Sequence, residues 1–286
     1  KSFLGASGLH DVQVSFFEDL VCAMMANIKN QAELTTQEQI KQAVIGRPIN
    51  FHGRGGEEAN RQAEHILSRA AKRAGFQDIA FQFEPVAAGL DYESTLTQDQ
   101  TVLVVDIGGG TTDCSLLEMG PTWSGKSDRT QSLLAHSGQR VGGNDLDIYL
   151  AFKQLMSPFG IGSKGTSGID MPLTQFWNPI AINNVEAQKN FYSRENLAAL
   201  KLLRKEAAEP QKLDRLMKVY HDTLGYSIVR RAEEAKIALA ECAQYRAAIN
   251  VASELVEVDI SVEQMVDAIE TPKSKMIELV KEAIQQ

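Results

Sequence analysis

Asp106 and Asp113 bracket three glycines and two threonines in the segment Asp106-Ile-Gly-Gly-Gly-Thr-Thr-Asp113. Three glycines remove every Cβ from the turn, so an anion can approach backbone N–H groups that act as donors. The two carboxylates repel a bare phosphate, but they suit a cation, usually hydrated Mg²⁺, held between them and the phosphate oxygens. A glycine run between strands is often a plain turn. An ordinary hairpin, however, needs only two residues with positive φ and gains nothing from clustered negative charge. The combination fits the binding of Mg²⁺ and a polyphosphate.

The flanking segments must position that loop. Val102-Leu-Val-Val105 and Cys114-Ser-Leu-Leu-Glu-Met119 are β-branched and apolar, so Thr101 to Met119 reads as a hairpin with the loop at its tip. Ser132 to Ser137 supplies a third strand, and Gly142-Gly-Asn-Asp-Leu-Asp147 opens a helix running through Phe152. Cys114 is expected to face the core; no His base near it in the sequence supports a nucleophile.

Upstream, Val12, Phe16, Phe17, Leu20, Val21, Met24 and Ile28 recur at helical spacing. Residues 42–48 read as a buried strand ended by Pro48, residues 57–74 as a helix stopped by Gly75, and residues 78–83 as a short strand. Glu84-Pro85 starts a helix with proline in its first turn. Downstream, residues 157–168 are rich in Gly and Ser and read as a flexible surface loop. Residues 187–209 and 212–246 are expected to be mainly helical, broken near Pro210. Residues 246–251 and 256–260 alternate as strands do, Ser261 and Gln264 form a capping box, and a last helix starts at Thr271-Pro272.

The chain has 286 residues, enough for about two domains. Its net charge of -8 argues against a general nucleic-acid binder. No apolar run reaches the length of about 18 residues that a membrane span needs. Cys22, Cys114 and Cys242 make no metal-binding spacing, which suits reduced thiols and a cytoplasmic setting.

Five segments in order resemble the actin-like ATPase superfamily, and within it the seventy-kilodalton heat-shock chaperones. Residues 106–113 are similar to that family's second phosphate motif. Ala43-Val-Ile-Gly-Arg-Pro48 resembles its strand ending in a proline turn, and Glu84-Pro-Val-Ala-Ala88 its Glu-Pro-x-Ala-Ala helix start. Residues 142–147 resemble its Gly-Gly-x-Asp-x-Asp helix start, and Glu233-Glu-Ala-Lys236 its adenine-side helix. The phrases Lys1-Ser-Phe-Leu-Gly-Ala-Ser-Gly8, Gly46-Arg-Pro-Ile-Asn-Phe51 and Gly142-Gly-Asn-Asp-Leu-Asp-Ile148 are similar to short members without the usual peptide-binding domain.

The resemblance implies an α/β fold, the ribonuclease H-like two-lobe fold of the actin-like ATPases, truncated at both ends. Residues 1–97 would be the remainder of lobe I. Residues 98–286 would form lobe II, with an inner part (98–141 and 271–286) and an outer, mainly helical part (142–270). The family's first phosphate loop has no counterpart here, nor has the Gly-Gly strand-turn that closes on the adenosine.

By the same resemblance, Gly108, Gly109, Gly110 and Thr111 hold the phosphates of ATP or ADP, and Asp106 and Asp113 orient Mg²⁺ through water. Glu84 helps place the attacking water, and Lys1 matches a catalytic lysine. Gly142 and Gly143 let a helix N-terminus approach the phosphates. Glu233 and Lys236, three apart on one helix face, contact ribose and adenine. Read from the residues alone, Glu84 is equally a helix-start acid, and Glu233 and Lys236 a solvated helix face. Ala240 stands where the family often has Ser, which bears on nucleotide preference.

The expected function is ATP binding and hydrolysis coupled to lobe closure in a chaperone-like protein, with the fragment alone inactive. Pro48, Glu84 and Arg61 are candidates for coupling, and Arg47 and Arg61 for phosphate contact or coupling. Expected partners are nucleotide and protein clients or co-chaperones, with neither nucleic acid nor membrane. The alternatives are a non-catalytic nucleotide sensor or scaffold, and a sugar or acid kinase whose acceptor pocket is lined by residues 142–260.

Overall fold

The computed structural model of the chain describes residue 4 and residues 10–51, 56–126 and 128–286. Lys1 lies outside the described residues. In chain order the elements are α1 (Asp11–Thr36), β1 (Gln42–Arg47), α2 (Gly56–Arg73), β2 (Asp78–Phe83), α3 (Glu84–Ser94), β3 (Gln100–Ile107), β4 (Thr112–Met119) and β5 (Leu133–Gln139). There follow α4 (Gly143–Leu150), α5 (Thr174–Trp177), α6 (Val185–Phe191), α7 (Arg194–Glu206), α8 (Pro210–Asp222), α9 (Gly225–Ala238), β6 (Gln244–Val251), β7 (Glu254–Ser261), α10 (Val262–Ala268) and α11 (Glu270–Gln285). Strands β3, β4 and β5 form one sheet in that order. The chain resolves into two compact units. One holds the residues up to Val104 with Ser115–His136 and Gln286; the other holds Val105–Cys114 and Ser137–Gln285.

In the first unit β1 and β2 pair in parallel, from Gln42 opposite Asp78 to Arg47 opposite Phe83. A parallel pair needs a crossover, and α2 supplies it. The crossover helix buries Ala59, Ala63, Ile66, Leu67, Ala70 and Ala71 along one face. Against them pack Val14, Phe17, Val21 and Met25 of α1, with Ile45 of β1 and Phe81 of β2. Glu18 fixes the helix pair: its buried carboxylate accepts from Arg69 Nε at 3.1 Å and Arg73 Nη1 at 2.9 Å.

One expectation for this unit is corrected. The strand at 42–47 is not buried; its residues alternate exposed and half-buried, and Val44 is 73% exposed. A two-stranded sheet covered on one side buries only alternate residues. The apolar repeat of α1 forms the expected helix, and its apolar residues divide between two faces. Phe17 and Val21 reach the core, while Val12, Phe16, Leu20, Met24 and Ile28 lie exposed on another face.

A second cluster joins Val86 of α3 to Leu117 and Met119 of β4, with Val102, Val104 and Leu133 beside them. Next to it Glu93 of α3 and Arg129 form a fully buried, two-pronged ion pair at 2.6 and 3.0 Å. Glu93 also accepts from Gly120 N at 3.0 Å.

The second unit has the larger core, centred on Phe159, Phe176, Phe191, Leu213 and Ile228. Residues 157–168 are not a simple surface loop, because Phe159 is fully buried and Ser163 is buried too. Lys164 bridges to Asp170 and Gly165 to Ala207, so backbone pairing anchors the segment despite its composition. The helical stretch expected over 187–209 is divided. Helix α6 ends at Phe191, and Ser193 caps α7, accepting from Asn196 N at 3.1 Å. The stretch expected over 212–246 is divided as well: Thr223, at φ 52°, separates α8 from α9, and α9 ends at Ala238 before β6 begins. Strands β6 and β7 are antiparallel, from Gln244 opposite Ser261 to Val251 opposite Glu254. Ser261 then caps α10 in the expected box: Gln264 N donates to Ser261 Oγ, and Ser261 N to Gln264 Oε1 at 2.9 Å. Among the described residues no helix is long and apolar enough to cross a membrane.

Candidate functional site

The second unit contains the whole glycine loop. Gly108 to Thr111 connects β3 to β4, its neighbour in the sheet, and a connection of this length can join only antiparallel strands. Gly108 N closes the loop on Thr111 O at 2.9 Å. None of Gly108, Gly109 and Gly110 adopts the left-handed conformation, so the turn geometry does not itself demand glycine. What the glycines provide is space. A Cβ on Gly110 would meet nothing within 4 Å; it would stand in the open volume over the loop. The N–H groups of Gly109, Gly110 and Thr111 have no hydrogen-bond partner among the described residues. Successive unused donors at an open loop are an anion-binding arrangement.

Beneath the loop, α4 acts as a brace. Gly143 N donates to Gly108 O at 2.9 Å and Asn144 N to Gly109 O at 2.8 Å. Gly142 N is held by Asp145 Oδ2 at 2.8 Å. Thr112, fully buried, donates from Oγ1 to Val141 O at 2.8 Å and so ties the start of β4 to the turn before α4. The approach is close enough to require glycine: a Cβ on Gly142 would lie 2.6 Å from Gly108 O and 2.7 Å from Gly109 C and O. Gly142 and Gly143 thus hold the loop in shape from behind: Gly143 N and Asn144 N meet loop carbonyls, and Gly142 N meets the Asp145 side chain.

The acidic flanks differ in setting. Asp106 is exposed and Asp113 is half-buried. Both offer hard oxygen donors, which suits Mg²⁺ held through its waters. Among the described residues no cluster of three or more His, Cys, Asp or Glu could hold a metal directly. Cys114, the next residue, is fully buried as expected. Burial pushes its thiol pKa up, a hydrogen bond with Ser137 opposes that, and the Asp113 charge adds to the rise.

Helix α9 packs against α4 within the shared apolar core, Ile148 and Leu150 in one cluster with Ala232 and Ala235, and an ion pair joins the two helices. Lys236 Nζ lies 2.7 Å from Asp147 Oδ1, and the Asp147 side chain is 6% exposed. Burial raises the pKa of the Asp147 carboxyl; the neighbouring Lys236 ammonium pulls it back, and nearby Glu233 pushes it up again. Glu233 is exposed one turn before Lys236. Sequence reasoning gave no role to Thr112, Asn144 or Asp147. Two of these positions carried a signal, Thr112 as one of the loop's two threonines and Asp147 as the second acid of Gly-Gly-x-Asp-x-Asp.

Glu84 lies in the first unit, at the start of α3, folded over Gly46 of β1. A Cβ on Gly46 would come 3.2 Å from Glu84 Cγ. In the same unit Arg47 is not a solvated arginine. It pairs with Glu64, donates to Pro48 O and Ile49 O at 3.1 Å each, and stacks over Phe83 with 5.0 Å to the ring centre. Arg61, by contrast, is largely exposed beside Glu57.

The family model described as Hsp70 protein matches residues 11–172, more than half of the chain. A chaperone protein dnaK of Emiliania huxleyi is 33% identical over 155 residues, which cover 54% of this chain and 22% of that protein. The matched stretch thus spans well under a third of the length of that relative. Mixed helices and sheets around a glycine loop are the actin-like ATPase architecture of this family's nucleotide-binding domain, and the chain belongs to the Hsp70 family.

Proposed function

We propose that the chain is part of an ATP-binding and ATP-hydrolysing domain of a chaperone-like protein. The observation that carries this reading is the row of unused N–H donors at Gly109, Gly110 and Thr111, held open by the brace from α4. Those donors would take the β- and γ-phosphates. Asp106 and Asp113 would hold the waters of Mg²⁺, which when bound neutralises phosphate charge. Thr111 carries a hydroxyl at the rim, and Glu233 and Lys236 would hold the ribose and base. Glu84 would order the attacking water and Lys1 would supply a cation to the phosphates. This chain's contribution is mostly positioning, which is what phosphoryl transfer demands of a protein.

In the same reading, residues 1–97 and 98–286 belong to two lobes that close on nucleotide, and hydrolysis resets their angle. Protein clients and co-chaperones would respond to that change in a cytoplasmic setting. The dnaK relative is named a chaperone, which supports this side of the reading.

Calorimetric titration of the chain with Mg·ADP and Mg·ATP tests it, with Asp106→Asn as control. Saturable binding that loses its Mg²⁺ dependence in the control is expected. A folded sample that binds neither nucleotide would overturn the assignment of this loop.

A further inference from the structure

Among the described residues, the ion pair between Asp147 and Lys236 is the one charged link between the helix that braces the glycine loop and the helix that carries Glu233. Asp147 projects from α4, whose first residues hold Gly108 and Gly109 by their carbonyls. Lys236 projects from α9 with its side chain 26% exposed and its amine against Asp147. A lysine side chain free in water samples many rotamers. A buried carboxylate at 2.7 Å selects the few that keep Nζ over α4. No other charged partner of Lys236 occurs among the described residues; Glu234 on the same helix is taken by Arg230 and Arg231. The carboxylate also needs that amine, because a buried ionised group without a partner is costly.

We infer that Asp147 is a positioning residue for nucleotide binding. It holds the Lys236 amine at the nucleoside side of the site and fixes α9 against the helix under the phosphate loop. The inference rests on the reading above that Lys236 faces a bound nucleotide, and it adds how that amine is kept there. Asp147 touches no phosphate; it acts through Lys236. Two halves of the ligand are thereby read by two segments that share an apolar core and are linked by this ion pair, the phosphates by the loop and the nucleoside by α9.

The test compares three probes on the chain: Mg·ADP, inorganic tripolyphosphate with Mg²⁺, and adenosine. Asp147→Asn keeps shape and removes charge. Charge-assisted contacts of this kind give an expected loss of about tenfold in ADP affinity, with tripolyphosphate affinity unchanged. In a Lys236→Met background the Asp147→Asn change should have no further effect on ADP, because the partner through which it acts is gone. Asp147→Glu should recover part of the loss. An equal fall for tripolyphosphate and ADP would mean that Asp147 only supports the loop, and would overturn the inference. Unchanged ADP affinity in Asp147→Asn would overturn it as well. Failure of the unaltered chain to bind either ADP or tripolyphosphate would instead remove the nucleotide reading, and this inference with it. Should Asp147→Asn fail to fold, Lys236→Met alone, altered at the more exposed partner, carries the ADP-against-tripolyphosphate comparison, with the same two outcomes.

Discussion

Thr112 donates its hydroxyl to the carbonyl of Val141 at 2.8 Å from a fully buried position. This single bond joins the end of the glycine loop to the turn from which α4 starts. Valine is nearly the same shape as threonine but has no donor. Thr112→Val should therefore leave the Val141 carbonyl unsatisfied and cost about 1–3 kcal/mol. Thr112→Ser should cost less. Urea unfolding of the three proteins checks the order, and ADP affinity should fall in the same order if the bond sets the loop.

Alanine at Gly142 and alanine at Gly110 should behave in opposite ways. A Cβ at Gly142 strikes backbone atoms at 2.6–2.7 Å, so the brace must shift, and a loss of about 1–3 kcal/mol is expected. A Cβ at Gly110 strikes nothing within 4 Å. Gly110→Ala should keep the melting temperature while weakening tripolyphosphate binding, because the methyl occupies the space over the donors. Equal stability losses at the two positions would contradict the brace geometry.

Asp106→Asn should leave stability unchanged, since Asp106 is exposed and no buried contact of its side chain is lost. The Mg²⁺ dependence of ADP binding should weaken, measured as the ratio of affinities with and without the metal. A large change in unfolding midpoint would show that Asp106 has a structural task instead.

The buried Glu93–Arg129 pair sets an acid limit. Burial alone pushes the Glu93 carboxyl up, but the hydrogen bond and charge of Arg129 and the Gly120 N–H outweigh it, so Glu93 titrates below its ordinary value. An acid with a depressed folded value stabilises above the unfolded pKa of about 4.3, and the contribution is lost as pH falls through the lower folded value. Stability measured between about pH 6 and pH 3 should fall at the acid end, and less steeply in Glu93→Gln. Glu93→Ala should cost about 3–5 kcal/mol at neutral pH by stranding a buried guanidinium. Glu93→Leu combined with Arg129→Met should cost less than that single change.

The three thiols should differ in reactivity. Cys242 is exposed, Cys22 is half-buried and Cys114 is buried with its pKa raised. Labelling by a thiol-specific disulfide reagent in the native state should run in that order, with Cys114 reacting only on unfolding. Fast labelling of Cys114 would mean that the sheet beneath the loop opens readily.

Local chemistry made much of this legible in advance. Three glycines between β-branched runs, Pro85 after Glu84, and Ser261 three residues before Gln264 each act within a few residues of themselves. The loop, the start of α3 and the cap of α10 accordingly appear where the sequence puts them. Other features depend on what each segment meets. The repeat in α1 specifies a helix but has apolar residues on two faces, and only packing on α2 chose Phe17 over Phe16 for the core. A Gly- and Ser-rich stretch gave no sign that Phe159 would be buried, because pairing with distant backbone anchors it. Glycines at 142–143 announced a close approach without naming the partner. Tertiary structure decided that the helix donors meet Gly108 and Gly109, and that Asp147 meets Lys236. Spacing along a chain encodes the period of an element and the freedom of its turns; which distant donor finds which acceptor is fixed only when the elements pack.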